Sequence, residues 1–323
     1  ITHAKSPKFR RYQSIVGHML ERMRVDEFMA SLLLLVKPLE TLELPLLDAH
    51  GATLSADVFY GDQLVLKAGT PIRSPQIGLA ASLGLDHLPT RPIPRVVVLS
   101  AGPDLVEPGQ LLGDAEEEFE SNSWMLTTAV KEAGATGFRV HAIPENHEEL
   151  KDIIEDQLVR ADLIVISGES RDESFELISK VLHEMGEVKE VMPAMANGGR
   201  MAYGVIGPDK TPVITLPGDP VGTALSCEIF VRPMIRSMYG SASPFRRKML
   251  AKLGGEIESQ KGERAYVRAA LTKKDGLKAH VLPDQDQLIS YAQASALIVV
   301  DEELTSLRDG SDVEVLLLDR GGN

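Results

Sequence analysis

Two wholly apolar runs, Val96-Val97-Val98-Leu99 and Leu163-Ile164-Val165-Ile166, constrain this chain more than any other feature. A strand with one wet face alternates apolar and polar residues, so a run with no polar position must be buried on both faces. Phe138-Arg139-Val140-His141-Ala142-Ile143 and Val213-Ile214-Thr215-Leu216 read as further strands, and apolar residues at helical spacing fill 124–133, 148–159, 175–185 and 221–238. Strands alternating with helices in this way predict an α/β domain over residues 93–240, a three-layer αβα stack with a mostly parallel sheet.

The flanks read differently. Residues 25–36 repeat apolar side chains at helical spacing until Pro38, and 42–47 and 53–58 are short extended pieces around Ala49-His50-Gly51. Residues 64–70 form a strand and turn, 74–83 a small-residue helix closed by Gly84, and Pro89, Pro92 and Pro94 mark a linker. The region 25–92 is therefore expected to be an N-terminal mixed α/β unit. After Gly240, the segments 248–253, 264–272, 277–282, 296–300 and 312–318 are short, alternating and separated by turns, which predicts a small C-terminal β-barrel over 241–323.

Composition removes several function classes. At 323 residues, 43% hydrophobic and 25% charged, the chain has the makeup of a globular protein of roughly two or three domains. A net charge of −13 excludes a general nucleic-acid binder. The single cysteine, Cys227, excludes a disulfide framework and reads as core. The longest apolar stretch, 29–36, is far too short for a membrane span and no leader precedes it, so the cytoplasm is the expected compartment. Residues 1–24 set Lys5, Lys8, Arg10, Arg11, Arg22 and Arg24 against the single acid Glu21; they read as a solvated basic extension, or as an arm for an acidic partner surface. The acidic run 114–120 reads as a solvated loop, the eight histidines have no zinc spacing, and Trp124 reads as a packing residue.

The strands of the central domain end in polar or Gly-rich loops: Ser100-Ala101-Gly102-Pro103-Asp104, Pro144-Glu145-Asn146, Ser167-Gly168-Glu169-Ser170 and Leu216-Pro217-Gly218-Asp219-Pro220. Loops at the carboxyl edge of a parallel sheet are where such folds bind ligands. The last loop sets two prolines and a glycine in five residues, a stiff turn of defined shape.

In order along the chain stand Ser100-Ala101-Gly102-Pro103-Asp104-Leu105-Val106-Glu107-Pro108-Gly109, Glu120-Ser121-Asn122-Ser123, Ser167-Gly168-Glu169, the turn from Leu216 to Pro220, and Gly262-Glu263-Arg264-Ala265-Tyr266-Val267-Arg268. With Pro45-Leu46-Leu47-Asp48-Ala49-His50-Gly51 and residues 64–69, this ordered set resembles the molybdopterin molybdenumtransferase family of MoeA and the gephyrin E domain, from about residue 25 to the end. Residues 157–166 and 182–188 are similar to actinobacterial gephyrin-like members. The resemblance implies that the αβα domain is of the molybdopterin-binding type. It implies insertion of molybdate into adenylated molybdopterin with release of AMP, assisted by Mg2+, in a homodimer. Such chemistry wants glycine loops that present N–H groups to phosphate, and carboxylates for the metal. The implied catalytic acids are Asp104, Glu145 and Glu176, with Asp104 and Glu145 also as metal ligands. The implied substrate-binding residues are Asn122, Ser167, Gly168, Gly198, Arg200, Pro217, Gly218, Asp219, Pro220 and Arg268.

The chain departs from the family pattern at several of these points. The family glutamate falls on Asp104 and its two aspartates on Glu145 and Glu176, so each acid differs by one methylene, and a displacement of about 1 Å can cost about 100-fold in rate. The family S-G-G-V-S-x-G is Ser167-Gly168-Glu169-Ser170-Arg171-Asp172-Glu173 here, K-P-G-K-P is Ala196-Asn197-Gly198-Gly199-Arg200, and the Q-G-S turn is Pro283-Asp284-Gln285-Asp286-Gln287. A lobe that the family inserts is missing near 58–61. Two functions stay open: an enzyme of molybdenum cofactor biosynthesis with a degenerate site, or a catalytically inactive gephyrin-like scaffold. The scaffold would bind a protein partner, either FtsZ of cell division or a membrane-receptor peptide.

Overall fold

The computed structural model describes residues 21–102, 104–113, 117–142, 146–168, 172–241, 243–274 and 276–318. Most of the basic stretch (residues 1–20), the acid Glu145 and most of the loop after Gly168 lie outside the described residues.

A seven-stranded sheet forms the centre, in the order Glu21–Met23, Gly186–Pro193, Met201–Ile206, Thr211–Leu216, Leu163–Ser167, Arg95–Ala101, Thr136–Ala142. Every neighbouring pair is parallel except the two made by Met201–Ile206. The apolar runs are buried on both faces, as their lack of alternation requires. Val96, Val98, Val165 and Ile214 pack on one side with the helices Val25–Leu35, Asn122–Glu132 and Arg232–Met238. Val97, Leu99, Ile164, Ile166 and Val213 pack on the other with His147–Leu158 and Asp172–Met185. The three-layer αβα domain is thus confirmed.

Four details differ from the sequence reading. The strands Gly186–Pro193 and Met201–Ile206 were not expected; the first carries Glu187, Lys189 and Glu190 and reads as a polar segment. The helix expected over 221–238 is Pro220–Ser226 and Arg232–Met238 joined by a π-turn, Cys227–Val231. Pro233 has no N–H to return to the Ile229 carbonyl, and a widened turn just before it accommodates that loss. Pro89 is not in a linker but within the strand His87–Arg91, which pairs with Leu42–Pro45 and Thr53–Leu54. The helix Val25–Leu35 packs in the central core rather than in that small sheet: Phe28 is fully buried, its ring edge-on to Tyr203 and Phe230 at 5.1 and 4.8 Å.

Around 58–61, Val58–Tyr60 and Gln63–Leu66 close a tight hairpin through Gly61, at φ +58. The C-terminal strands Lys248–Gly254, Lys278–Val281, Ala265–Thr272, Ala296–Val300 and Asp312–Leu317 close a barrel around Leu253, Ala269, Ile298 and Val315.

Candidate functional site

The turn Leu216-Pro217-Gly218-Asp219-Pro220 caps a helix. The Asp219 carboxylate accepts from the Gly222 N–H at 2.6 Å, and Pro220 stands at the first helical position, where a missing N–H costs nothing. The Thr223 hydroxyl donates to the Pro217 carbonyl. A Cβ on Gly222 would lie 2.6 Å from the Asn197 carbonyl oxygen, so the loop Ala196-Asn197-Gly198-Gly199-Arg200 is clasped against this helix end, with Gly199 seated on Pro217. The Gly198 N–H is used internally, donated to the Met195 carbonyl at 2.9 Å.

Asn122 draws three elements together. Its amide donates to the Ser167 hydroxyl at 3.0 Å and to the Gly218 carbonyl at 2.7 Å, linking the end of one strand, the start of one helix and the capping turn. Ser167 is fully buried, and Gly168 follows it at the sheet edge. Among the described residues, the Asn122 side-chain oxygen has no hydrogen-bond partner.

Arg268 approaches from the barrel. It is 3% exposed, its Nη1 donates to the Tyr266 carbonyl at 3.0 Å, its Nε faces the Ser290 hydroxyl at 3.5 Å, and its Nη2 has no partner among the described residues. Burial pulls the guanidinium below its ordinary pKa, with Tyr291, Asp219 and Asp286 acting through space in the opposite sense. Arginine still holds its proton under such conditions, and a buried cation with an unused donor is costly unless an anion completes it. Gln285 fixes the backbone here, accepting the Arg268 N–H at 2.9 Å and donating to its carbonyl at 2.9 Å. A cleft of about 240 Å3 opens between Arg268, Gln285, Asn197, Glu256 and Glu258.

The implied acids are distributed less favourably. Asp104 sits in the turn after Arg95–Ala101, half-buried, its carbonyl accepting the Glu118 N–H at 3.0 Å. Glu176 is bound to Arg200 at 2.5 Å, and Arg200 also pairs with Glu190 at 2.7 Å and lies 4.4 Å over the Phe175 ring. The cation expected to meet phosphate is therefore held by two carboxylates. For Mg2+, the described residues supply only Asp104 of the two implied ligands, and no group of three His, Cys, Asp or Glu side chains converges among them. The described chain does not by itself form a cage for the ion.

Trp124 does not pack in the interior as expected. It is 51% exposed, its indole N–H donates to Glu107 at 3.3 Å, and the Arg139 guanidinium lies 4.3 Å over its ring. Cation stacking holds the ring on the surface. Cys227 is core: burial pushes its thiol well up, out of nucleophile range.

A larger cleft lies elsewhere and carried no sequence signal. About 510 Å3 is enclosed between the helix Val25–Leu35, the segment Cys227–Val231 with Pro233, and the barrel, lined by Met29, Leu33, Ile229, Phe245, Tyr266 and Leu316, among others. Its parts are up to 291 residues apart, so only folding assembles it.

An αβα domain with this capped carboxyl edge, followed by a closed barrel, defines the class as MoeA-like. A MoeA structure from Pyrococcus horikoshii superposes with a TM-score of 0.75 at 19% identity, covering 92% of this chain and 99% of that one. Residues 98–237 match the model described as "Probable molybdopterin binding domain", and 251–318 the MoeA C-terminal region, domain IV. Molybdopterin molybdenumtransferase 1 of Mycobacterium tuberculosis is 32% identical over 274 residues, 82% of this chain and 64% of that protein. Molybdopterin molybdenumtransferase 2 is 33% identical over 263 residues, 78% and 63%, and gephyrin of Dictyostelium discoideum is 26% identical over 82% and 42%. The chain belongs to the molybdopterin molybdenumtransferase (MoeA) family, and it spans a little under two thirds of the length of its mycobacterial relatives.

Proposed function

We propose that this protein acts in molybdenum cofactor biosynthesis, holding adenylated molybdopterin and molybdate at the carboxyl edge of its sheet and releasing AMP as molybdate is inserted. The observation that carries this reading is Arg268, a 3% exposed cation with an unused donor beside the Asp219 turn. In the reading, Arg268 binds an oxyanion, Asn122, Ser167 and Gly218 orient the substrate beside it, and Asp104 with Glu145 attends the phosphates. Mg2+, when bound, supplies charge neutralisation at those phosphates. Arg200 and Glu176 hold each other and shape the loop that carries Gly198. A cytoplasmic homodimer goes with the reading; light scattering after size-exclusion chromatography tests the dimer. The decisive assay supplies adenylated molybdopterin, molybdate and Mg2+ and reads AMP. Release that disappears in Arg268→Ala supports the reading; no release alongside an active family member defeats it.

A second reading is favoured by the apolar cleft of about 510 Å3, which lies apart from the capped turn. As a scaffold the protein would seat an apolar partner segment between Met29, Phe245 and Leu316, from FtsZ or a membrane receptor. Calorimetry with such peptides tests it: binding abolished by Phe245→Glu supports the scaffold, and no binding removes it.

A further inference from the structure

Asn122 carries a hydrogen-bond acceptor that the fold leaves unused. The residue is 7% exposed, so water does not compensate freely, and both amide hydrogens are committed, to Ser167 and to Gly218. A peptide carbonyl can only accept, so the bond to Gly218 fixes which end of the amide is nitrogen and leaves Oδ1 as the free atom. Buried polar atoms are almost always paired, and an unpaired one at a carboxyl-edge loop is a place where a ligand donor completes the count. Asn122 also opens an eleven-residue helix, at the edge where ligands of such sheets lie.

A second unused atom has the opposite sense. Arg268 Nη2 is a buried donor without a partner, and Asp219, the neighbour of Gly218, acts on that guanidinium through space. The cleft beside Arg268 is also lined by Asn197, whose carbonyl abuts the helix end at Gly222, so the free donor lies on the barrel side of the turn whose Gly218 carbonyl holds Asn122. The ligand complementary to this donor and to the Asn122 acceptor has an N–H donor at one end and an oxyanion at the other.

We propose that Asn122 Oδ1 accepts a hydrogen bond from a ring or amino N–H of the substrate's heterocycle, which orients the substrate with that ring at Asn122 and its oxyanion toward Arg268. The inference rests on the proposed function and adds to it the polarity of binding. Molybdate and the phosphoanhydride of an adenylated pterin carry only acceptors at neutral pH, so the donor for Asn122 comes from the heterocycle or from a ribose hydroxyl, and blocking the ring N–H by methylation separates the two.

The test is equilibrium dialysis of the full chain against pterin, N3-methylpterin, AMP, N6-dimethyl-AMP and molybdate, each alone. Blocking the donor on the correct heterocycle should weaken binding roughly 10- to 100-fold, because the buried acceptor is again unpaired. The pterin and adenine pairs identify which ring is involved. In Asn122→Ala the preference for the unblocked ring should vanish while molybdate binding stays within about 2-fold, reflecting retention of Arg268. The methyl comparison on the native chain decides the matter even if that variant fails to fold. Equal binding of blocked and unblocked rings overturns the inference, as does molybdate binding with no heterocycle bound at all. Failure of every ligand, molybdate included, overturns the proposed function and the inference together.

Discussion

Arg264 grips Asp26 with both terminal nitrogens, at 2.6 and 2.8 Å, and so ties the barrel to a helix 238 residues earlier in the chain. Its Nε reaches the buried Glu302 at 3.1 Å, and its backbone pairs with Ala194 and Ala196 beside the Gly198 loop. One residue therefore sets the position of the barrel against both the apolar cleft and the carboxyl-edge site.

The two ends of this clasp should differ in cost. Arg264→Met leaves Glu302, a 5% exposed carboxylate, with only the looser Arg24 contact at 3.7 Å, and should lower stability by about 2–3 kcal/mol. Asp26→Asn removes a partner whose side chain is 71% exposed and should cost under about 1 kcal/mol. Urea denaturation of both variants checks the asymmetry; equal losses would mean that Glu302 is satisfied without Arg264.

Arg268 should behave in the opposite way. A buried cation with an unused donor contributes little or nothing to stability, so Arg268→Met should keep or raise the denaturation midpoint, within about 1 kcal/mol of the native chain. The thermal shift produced by molybdate or phosphate should vanish in the same variant. A variant that unfolds and a native chain that shows no shift would together make Arg268 a structural residue.

The capping turn tests close approach. Gly222→Ala places a Cβ 2.6 Å from the Asn197 oxygen and 2.8 Å from the Asp219 carboxylate, and should cost about 2–3 kcal/mol as the loop is pushed off the helix end. Gly61→Ala meets no atom within 4 Å and carries only the penalty of φ +58, about 1 kcal/mol. Thermal denaturation of the two variants ranks them, and a reversed order would contradict the clasp.

Glu120 predicts an acid limb. Burial alone would push its carboxyl up, but the Ser123 hydroxyl at 2.6 Å, the Ser123 N–H at 2.8 Å and Arg139 at 3.1 Å hold it below the ordinary glutamate value. A depressed carboxyl contributes stability above its unfolded value, and that contribution is lost as pH falls through the folded value. The native chain should therefore lose stability from the ordinary glutamate range downward. Glu120→Gln should be weaker by about 1–3 kcal/mol near neutrality and flatter toward acid. Urea midpoints between about pH 3 and pH 7 measure both slopes.

The sequence by itself determined the layers and the barrel. Uninterrupted apolar runs such as Val96 to Leu99 can be satisfied only with both faces covered, and the order of runs and amphipathic segments left few topologies. The stiffness of the turn from Pro217 to Pro220 was also local, whereas the capping role of the Asp219 carboxylate was not read from it. Two strands were not legible: Gly186–Pro193 carries three charges in eight residues, and pairing with Met201–Ile206 on one side and Glu21–Met23 on the other makes it a strand. Trp124 was misread because one residue in a helical pattern does not reveal whether Arg139, on a strand fifteen residues on, will stack upon it.

The tertiary structure decided what the charges do. Arg200 and Arg268 read alike as cations for an anionic ligand, yet one lies between Glu176 and Glu190 and the other is buried with a donor to spare. The same holds for Asn122, whose free acceptor exists only because Gly218, 96 residues away, takes its donor. Charge and hydrogen-bonding capacity belong to residue types, and their availability belongs to distances that only folding sets.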